Sequence, residues 1–286
     1  MGSEWFVVEL IQTIRLSELQ TTNYKLLTKM AKPFLSVIIP AYNESERLPA
    51  TLVDVDKHLS KAEFTYEIIV ADDGSRDGTP DIVERMGKTI KHLRVLRFGK
   101  NRGKGAVTRD GMLQAEGEYR LFMDADNSTS VDQFSNMLPF FLGQNGESGY
   151  QVVFGSRGLK ESRLEPPQPL YRQIPGRIGN LIIQVLLLPG IRDTQCGFKA
   201  FTAEAAEKVF RPMKIRRWGF DIEALALAKR AGYKMKEMPV IWKNDLRSTV
   251  KISAYLQVLL ETVKIRLWLW TGAYEANAKI KDQNGE

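Results

Sequence analysis

The sequence predicts an α/β protein in which a mostly parallel sheet is flanked by helices. From Phe34 onward, apolar stretches of strand length alternate with stretches that have helical periodicity. The apolar stretches do not alternate with polar residues, which is typical of strands buried on both faces. Acidic and glycine-containing turns follow several of these strands directly, and open parallel sheets bind ligands at that edge.

The first half of the chain is regular. Leu48, Leu52, Val55 and Leu59 share one helical face, and Thr79-Pro80-Asp81 is a typical helix start. This spacing favours a right-handed, doubly wound parallel sheet. The predicted strands are 34–39, 66–71, 93–98, 119–123 and 151–155, with helices after 48 and 79 and over 104–115 and 131–142.

The second half has a less regular pattern. Residues 159–177 contain four prolines and are predicted to form a mobile loop over the site. A strand-like segment over 190–200 holds Cys196, the only cysteine, so the chain has no internal disulfide. The other predicted elements are helices at 178–188, 203–210 and 220–231 and a strand at 234–242.

Two terminal segments stand outside the main domain of residues 33–252. Residues 1–32 are an appendage with the spacing of a short amphipathic helix, or an artefact of an upstream start with Met30 as the natural beginning. Residues 273–286 are predicted to be a disordered tail. No stretch of about 20 apolar residues occurs, so no transmembrane helix is predicted.

The segment 253–272 is predicted to be an amphipathic helix. Ser253, Gln257, Glu261 and Lys264 share one face, and the remaining surface is apolar and aromatic with basic residues nearby. This composition favours a helix lying in a membrane interface. The alternative is a helix packed on its own domain or on a second copy in a homodimer.

The charge of the 286-residue chain suits an anionic partner. Its formal net charge is +7. Phospholipid head groups and phosphorylated substrates fit this charge. No compact Lys/Arg block or nucleic-acid-binding signature is present, so no nucleic acid partner is predicted.

Asp124 and Asp126 follow the predicted strand 119–123 directly. Two uncompensated carboxylates at one strand end are costly unless a cation joins them. Mg²⁺ or Mn²⁺ takes one or two carboxylates together with phosphate oxygens. The pair therefore indicates a divalent metal that carries a phosphate-rich ligand, with a solvated loop as the alternative.

Three other strand ends carry residues suited to a nucleotide. Pro40 is expected to end the first strand, and Tyr42 offers a ring for stacking on a base. In Asp72-Asp73-Gly74-Ser75 a carboxylate can accept from a base N–H or a ribose hydroxyl, and the glycine allows close backbone approach to a ligand. Asn101-Arg102-Gly103-Lys104-Gly105 is a glycine-rich turn opening a helix, with a cation to face phosphate.

Taken together, these motifs resemble those of the inverting family 2 glycosyltransferases, over roughly residues 34 to 251. Val37 to Glu44, Asp72 to Ser75 and the DXD sequence Asp124-Ala125-Asp126 carry the resemblance. Gly155-Ser156-Arg157 and Asp193 to Lys199 resemble the polyprenyl-phosphate branch, most of all its dolichyl-phosphate β-glucosyltransferases. The resemblance implies a GT-A fold with a Rossmann-like sheet, and makes 33–252 the catalytic domain.

The resemblance also implies roles for the nucleotide-binding and metal-binding residues. Asp73 would contact the base, Pro40, Tyr42, Glu44 and Asp72 would lie near base and ribose, and Lys104 would face phosphate. Asp126 would be the principal metal ligand, and Asp124 would contact the sugar, the ribose or the metal. Ser128 stands where related mannose synthases can have Gln, so it is the candidate third ligand.

Further residues are implied for the acceptor side. Arg157, Arg177, Arg247 and Lys251 are candidates for the phosphates of donor and acceptor. Asp193 would be a general base for a hydroxyl acceptor, whereas with a phosphate acceptor it would order the acceptor side.

The resemblance implies metal-dependent transfer, with inversion, of a hexose from a nucleotide sugar to polyprenyl phosphate. Glucose from UDP-glucose is expected, and the enzyme would be peripheral on the cytoplasmic face of a membrane. The alternatives are a mannose synthase using GDP-mannose, a family member acting on a saccharide hydroxyl, and an inactive nucleotide-sugar-binding protein.

Overall fold

A computed structural model describes residues 32–143, 149–166, 170–243 and 252–275. The prediction for residues 1–31 and that for 276–286 of the predicted tail lie outside the described residues, whereas residues 273–275 of that tail are helical and Tyr274 is buried. The strands are β1 (Leu35–Ala41), β2 (Tyr66–Asp72), β3 (Leu93–Arg97), β4 (Tyr119–Met123), β5 (Val152–Ser156), β6 (Arg163–Glu165), β7 (Phe198–Thr202), β8 (Met235–Pro239) and β9 (Ile241–Lys243). The helices are α1 (Leu48–Leu59), α2 (Thr79–Met86), α3 (Lys104–Gln114), a 3₁₀ helix (Val131–Asn136), α4 (Leu138–Leu142), α5 (Leu170–Leu186), α6 (Ala203–Phe210), α7 (Phe220–Arg230) and α8 (Ile252–Trp270).

Seven strands form the central sheet, in the order β3-β2-β1-β4-β7-β5-β8. The predicted α/β class and mostly parallel sheet are confirmed, but the sheet is not parallel throughout. β7 runs antiparallel to both β4 and β5. Only the last part of the predicted strand 190–200 belongs to β7. Because β7 is reversed, its beginning lies at the carboxyl edge of the parallel strands, and residues 190–197 reach the same edge as Asp124.

The sheet is buried on both faces, as the unbroken apolar strands predict. Along β1, Ile38 packs into one core with Phe122 and Phe220. Its neighbours Val37 and Ile39 pack into the opposite core with α1. The four apolar residues that define the face of α1 are all buried: Leu48, Leu52, Val55 and Leu59.

Two boundaries differ from the prediction because proline neither ends the first strand nor excludes a helix where the sequence suggests it. β1 continues through Pro40 to Ala41. Its pairing with β4 extends only as far as Ile38. Pro40 therefore lies beyond this pairing, where the N–H that proline lacks costs little. The predicted loop 159–177 contains β6 and the beginning of α5, which starts at Leu170 and includes Pro175. β6 pairs with β9 in a separate two-stranded sheet.

Two other boundaries differ for local reasons. The predicted helix 131–142 is a 3₁₀ helix followed by α4. The predicted strand 234–242 is divided at Val240 into β8 and β9, which join different sheets. Thr79 is the first residue of α2 rather than its cap, since Gly78 occupies that position.

The closing helix α8 packs on α5 and α7 through a mixed face, on which Val258, Glu261, Thr262 and Ile265 are buried. Glu261 and Thr262 are buried, whereas Leu256, Leu260 and Leu267 are about half exposed, at 61, 56 and 48 %. Glu261 faces inward because it accepts a hydrogen bond from the backbone N–H of Gly219. Among the described helices, none has the length and apolar character needed to cross a bilayer.

Candidate active site

A cleft of about 1780 Å³ opens at the carboxyl edge of the sheet. Ligand pockets commonly occupy about 300–1,000 Å³, so this cleft has room for more than one substrate. Its walls come from the ends of β1 and β4, the start of α3, the loop before β7, and parts of α5 and α8. The strand-end motifs that the sequence singled out therefore converge on one cavity.

The DXD turn is fixed by its neighbours. The backbone N–H of Asp124 donates to Gly197 O, and Thr51 Oγ1 donates to Ala125 O at 2.6 Å. Asp126 Oδ1 accepts the N–H of Ser128 at 3.0 Å, and Lys104 Nζ donates to Asp124 Oδ1. Burial and the nearby Asp124 charge raise the pKa of Asp126. The two carboxylates thus share a site that favours an added positive charge.

The donor set fits a divalent cation only if substrate completes it. Among the described residues, no three His, Cys, Asp or Glu side chains come together as a metal site. Asp124 and Asp126 line the cleft with Ser128 beside them. Mg²⁺ and Mn²⁺ accept one or two carboxylates with phosphate oxygens, so the arrangement fits an ion held jointly by this turn and a diphosphate.

Asp73 is held by the glycine-rich turn. Its carboxylate accepts the N–H groups of Arg102 and Gly103 at 2.6 and 2.8 Å. Gly103 has a φ of +101°, and a Cβ there would overlap Arg216 O. The glycine therefore serves packing within the chain. Base contact by Asp73 stays a prediction, as does that by Asp72, which accepts from Ser75 N–H and is not among the cleft-lining residues.

The predicted nucleotide residues of the first strand end line the cleft. Pro40, Tyr42 and Glu44 all face it. Tyr42 is 43 % exposed, so its ring is open to a stacking partner. The Glu44 carboxylate makes two hydrogen bonds with Arg47 at 2.6 and 2.7 Å. A ribose contact by Glu44 would therefore share the carboxylate with an arginine.

Arg157 and Asp193 form a paired unit on the other side of the cleft. Arg157 Nε and Nη2 donate to the two Asp193 oxygens at 2.7 and 3.0 Å, and the Arg157 N–H donates as well. Burial opposes ionisation of Asp193, but the Arg157 charge and hydrogen bonds outweigh it and lower the pKa of Asp193 to about 2. The same pairing outweighs burial in Arg157 and raises its pKa. The guanidinium also lies 5.5 Å from the Trp242 ring centroid.

The predicted phosphate-binding cations are only partly described. Arg177 lines the cleft, whereas Arg247 and Lys251 lie outside the described residues. The structure adds Lys160 and Arg192, which the sequence analysis missed because no motif surrounds them. Arg192 is placed by Asn180 of α5, whose Nδ2 donates to its carbonyl at 2.7 Å. Cationic side chains thus collect on the Arg157 side of the cleft.

Gly197 and Lys199 lie behind the DXD turn, and the motif Asp193 to Lys199 does not reveal what they contact. Gly197 lies so close to the Asp124 carboxylate that a Cβ would overlap it. Lys199 is fully buried and donates to Asp221 Oδ1 at 2.6 Å. Cys196 lies in the core, and burial raises the pKa of its thiol to about 12. A glycine beside a cysteine gives no sequence signal of close packing against a distant carboxylate.

Comparison with known proteins agrees with this geometry. The family model described as glycosyl transferase family 2 matches residues 36–210. A dolichyl-phosphate beta-glucosyltransferase of Dictyostelium discoideum is 36% identical over 251 residues, covering 85% of this chain and 76% of that protein. The human protein of the same name is 34% identical over 252 residues, covering 84% and 77%.

Solved structures show the same fold at low sequence identity. Glucosyl-3-phosphoglycerate synthase from Mycobacterium tuberculosis, in complex with Mn²⁺, UDP and glucosyl-3-phosphoglycerate, has a TM-score of 0.59 at 18% identity over 82% of this chain and 80% of that one. Mannosyl-3-phosphoglycerate synthase from Rubrobacter xylanophilus has a TM-score of 0.60 at 16% identity over 82% and 74%. By its family match and these relatives, the chain is a glycosyltransferase and belongs to glycosyl transferase family 2.

Proposed function

We propose that this enzyme transfers glucose from UDP-glucose to a polyprenyl phosphate, with inversion at the anomeric carbon. The names of the relatives support dolichyl phosphate as the acceptor and glucose as the sugar. The fold neighbour solved with Mn²⁺ and UDP supports the donor class and the metal. Mg²⁺ would serve the same donor set.

The donor half of the cleft would hold the nucleotide and its diphosphate. Tyr42 would stack on the base, and Pro40 and Glu44 would contact base and ribose. Asp124, Asp126 and Ser128 would hold the divalent cation, which when bound offsets charge on the leaving diphosphate. Lys104, paired with Asp124 in this structure, lies where its ammonium could turn to a phosphate oxygen.

The acceptor half would hold a phosphate rather than a sugar hydroxyl. One observation carries this choice: Asp193 is paired with Arg157 through three hydrogen bonds, and its pKa is about 2. A carboxylate so stabilised is a poor general base. A lipid monophosphate, like a phosphorylated side chain, has a second pKa of about 6 and is largely dianionic at neutral pH. It needs no base.

In the proposed reaction an acceptor phosphate oxygen attacks the anomeric carbon opposite the leaving diphosphate. A new carbon–oxygen bond forms while the bond to the diphosphate oxygen breaks, and the sugar configuration inverts. Arg157, Arg177, Lys160 and Arg192 would neutralise the acceptor phosphate. Arg247 and Lys251 remain candidates for the same task.

The exposed face of α8 supports docking on a membrane. Leu256, Leu260, Val263 and Leu267 are exposed, and Trp270 at the end is 82 % exposed. Leu181 and Val185 extend this apolar surface on the neighbouring α5, at 59 and 78 % exposure. Asn180 and Tyr255 of the same two helices line the cleft, so a lipid phosphate could enter from this side. We propose a peripheral enzyme on the cytoplasmic face, with a homodimer through this surface as the alternative.

The proposal is tested with a panel of UDP-glucose, UDP-N-acetylglucosamine and GDP-mannose, with polyprenyl phosphate vesicles and with or without chelator. The expected result is a glucosyl phospholipid from UDP-glucose, abolished by chelator and by Asp126→Ala. Product from GDP-mannose alone would make the enzyme a mannose synthase. No product from any donor would overturn the proposal in favour of an inactive nucleotide-sugar-binding protein.

The acceptor class is tested separately with Asp193→Asn. Transfer to polyprenyl phosphate should not require ionisation of residue 193, so the rate above pH 6 should keep the same pH profile in the variant. A saccharide product from wild-type enzyme, lost completely in Asp193→Asn, would favour the hydroxyl acceptor instead.

A further inference from the structure

The loop that precedes α7 forms one edge of the cleft. We call residues 213–219 the edge loop. Arg217 and Trp218 from this loop line the cleft, as do Phe220 and Asp221, which follow it directly. The sequence motifs of the nucleotide site do not include this segment.

α8 holds the edge loop from behind. Glu261 Oε2 accepts the N–H of Gly219 at 2.7 Å, and Glu261 is only 8 % exposed. Beyond the end of α8, Ala273 O accepts from Lys214 Nζ at 2.8 Å. Tyr274 donates to Glu223 Oε1 at 2.7 Å.

Glu223 completes this attachment from inside the protein. It is fully buried on α7, and its two oxygens accept the N–H groups of Lys214 and Ile215 at 2.9 and 2.8 Å. The edge loop is therefore held at both ends by carboxylates, one on α7 and one on α8. A buried carboxylate that accepts backbone N–H groups fixes the backbone position strongly.

In front, the edge loop supports the start of α3. Ala106 N–H donates to Arg216 O at 3.0 Å, and Arg109 Nη1 donates to Met213 O at 3.3 Å. A Cβ at Gly105 would lie 2.9 Å from the carbonyl oxygens of both Ile215 and Arg217, so the backbones are in direct contact. This start of α3 supplies Lys104 to Asp124 and the Gly103 N–H to Asp73.

We propose that Glu261 is a positioning residue through which α8 fixes the donor half of the cleft. The contacts run from Glu261 to Gly219, along the edge loop to Ala106, and from the start of α3 to Asp73 and Asp124. Glu261 is not among the residues that line the cleft, so it acts through the edge loop. A shift of the helix that carries the exposed apolar face would reach the nucleotide site by this route. What the donor half binds rests on the proposed function, whereas the coupling itself does not.

The test compares Glu261→Ala with Glu261→Gln in the full chain. The first removes the acceptor for Gly219 N–H, and the second keeps an oxygen in its place. Amide hydrogen exchange is measured for peptides covering 101–107, 213–219 and, as an internal reference, 119–123. Glu261→Ala should speed exchange at least about tenfold in the first two peptides and leave the third unchanged, because a hydrogen bond to a buried charge is lost. Glu261→Gln should stay within about twofold of wild type.

Binding of uridine diphosphate with Mn²⁺, measured without lipid, is the second readout. Affinity should fall about tenfold in Glu261→Ala, whereas the KM for the lipid should change less than about twofold. Gln257→Ala is the matched control, since Gln257 Nε2 donates to Glu261 Oε1 at 2.9 Å and, within the part of the chain that the structure describes, has no hydrogen bond to the edge loop. It should leave both readouts at wild-type values.

A second variant covers the case in which Glu261→Ala does not fold. Gly219 has φ −80°, which alanine adopts freely, but its Cβ would lie 2.9 Å from Glu261 Cβ. Gly219→Ala should therefore separate loop and helix and reproduce the faster exchange at 101–107. Unchanged exchange there in both Glu261→Ala and Gly219→Ala would overturn the coupling. A wild-type protein that binds no uridine diphosphate would instead overturn the proposed function, and the exchange result would still decide the coupling.

Discussion

Replacing Asp193 by asparagine should destabilise the protein by about 2 kcal/mol at pH 7. The Arg157 charge and hydrogen bonds hold the pKa of Asp193 at about 2, against 3.8 for an ordinary aspartate. At about 1.4 kcal/mol per pH unit, that difference corresponds to about 2.4 kcal/mol. The variant also leaves Arg157 without its buried counterion, which acts in the same direction.

The pH dependence follows from the lowered pKa. The folded state binds the proton less tightly than the unfolded state, so the contribution of Asp193 is fully present above about pH 4. It is lost as the pH falls toward 2, and roughly half remains at pH 3. The stability difference between wild type and Asp193→Asn should be constant from pH 7 to pH 5 and then shrink.

Urea unfolding followed by tryptophan fluorescence at pH 7, 5 and 3 measures this difference. The slope of free energy against urea must be the same in both proteins for the comparison to hold. Asp132→Asn, at an exposed position, is the matched control and should change stability by less than about 0.5 kcal/mol. Equal stability of wild type and Asp193→Asn at pH 7, or a difference that persists undiminished at pH 3, would refute the reasoning.

Three further substitutions test the surroundings of the DXD turn. Gly197→Ala should lower kcat/KM about a hundredfold with little change in Tm, because its Cβ would displace the Asp124 carboxylate; an active variant would show that this carboxylate is not needed where it lies. Thr51→Val removes the hydrogen-bond donor to Ala125 O. It should weaken binding of uridine diphosphate with Mn²⁺, measured by calorimetry, and lower the free energy of unfolding in urea by about 1–2 kcal/mol. Thr51→Ser keeps the hydroxyl and should restore both. Lys199→Met should destabilise by about 3–5 kcal/mol in the same unfolding assay, since it leaves the Asp221 carboxylate buried without its cation, and Lys199→Met combined with Asp221→Leu should recover part of the loss; no recovery would mean that the pair is not the cause.

Strands and helices with a clear local pattern of apolar residues could be predicted from the sequence. The strand 119–123 and the helix 203–210 match β4 and α6 residue for residue, because apolar runs and helical spacing are local signals. The antiparallel direction of β7 could not be predicted, since strand direction depends on which neighbours the strand pairs with. Pro40 and Pro175 led to wrong boundaries. Proline does disfavour a strand or a helix locally, but the fold tolerates it at both positions.

In the site, too, residues in local motifs could be predicted and contacts between distant residues could not. Asp124, Asp126 and Tyr42 could be found because each belongs to a motif that follows a predicted strand. All three line the cleft. Gly197, Thr51 and Glu261 could not be found, since each acts on a group far away in the sequence through one contact that no pattern records. Asp73 was found by its motif and lines the cleft, and the structure adds two hydrogen bonds from backbone N–H groups that no pattern indicates; its base contact stays a prediction.

The reversed strand β7 lies between two groups of strands that come from different parts of the chain. On one side stand β3, β2, β1 and β4, all drawn from residues 35–123, and on the other stand β5 and β8, drawn from residues 152–239. The DXD turn and the nucleotide motifs belong to the earlier stretch, and the Arg157–Asp193 pair belongs to the later one. Mutations in the coding sequence of one wall therefore leave the residues of the other wall unchanged, although the two walls touch where Gly197 meets Asp124 and where the edge loop meets α3. A single breakpoint between residues 128 and 152 would exchange one wall, and the new partner would have to restore the contacts of Gly197 with Asp124 and of the edge loop with α3.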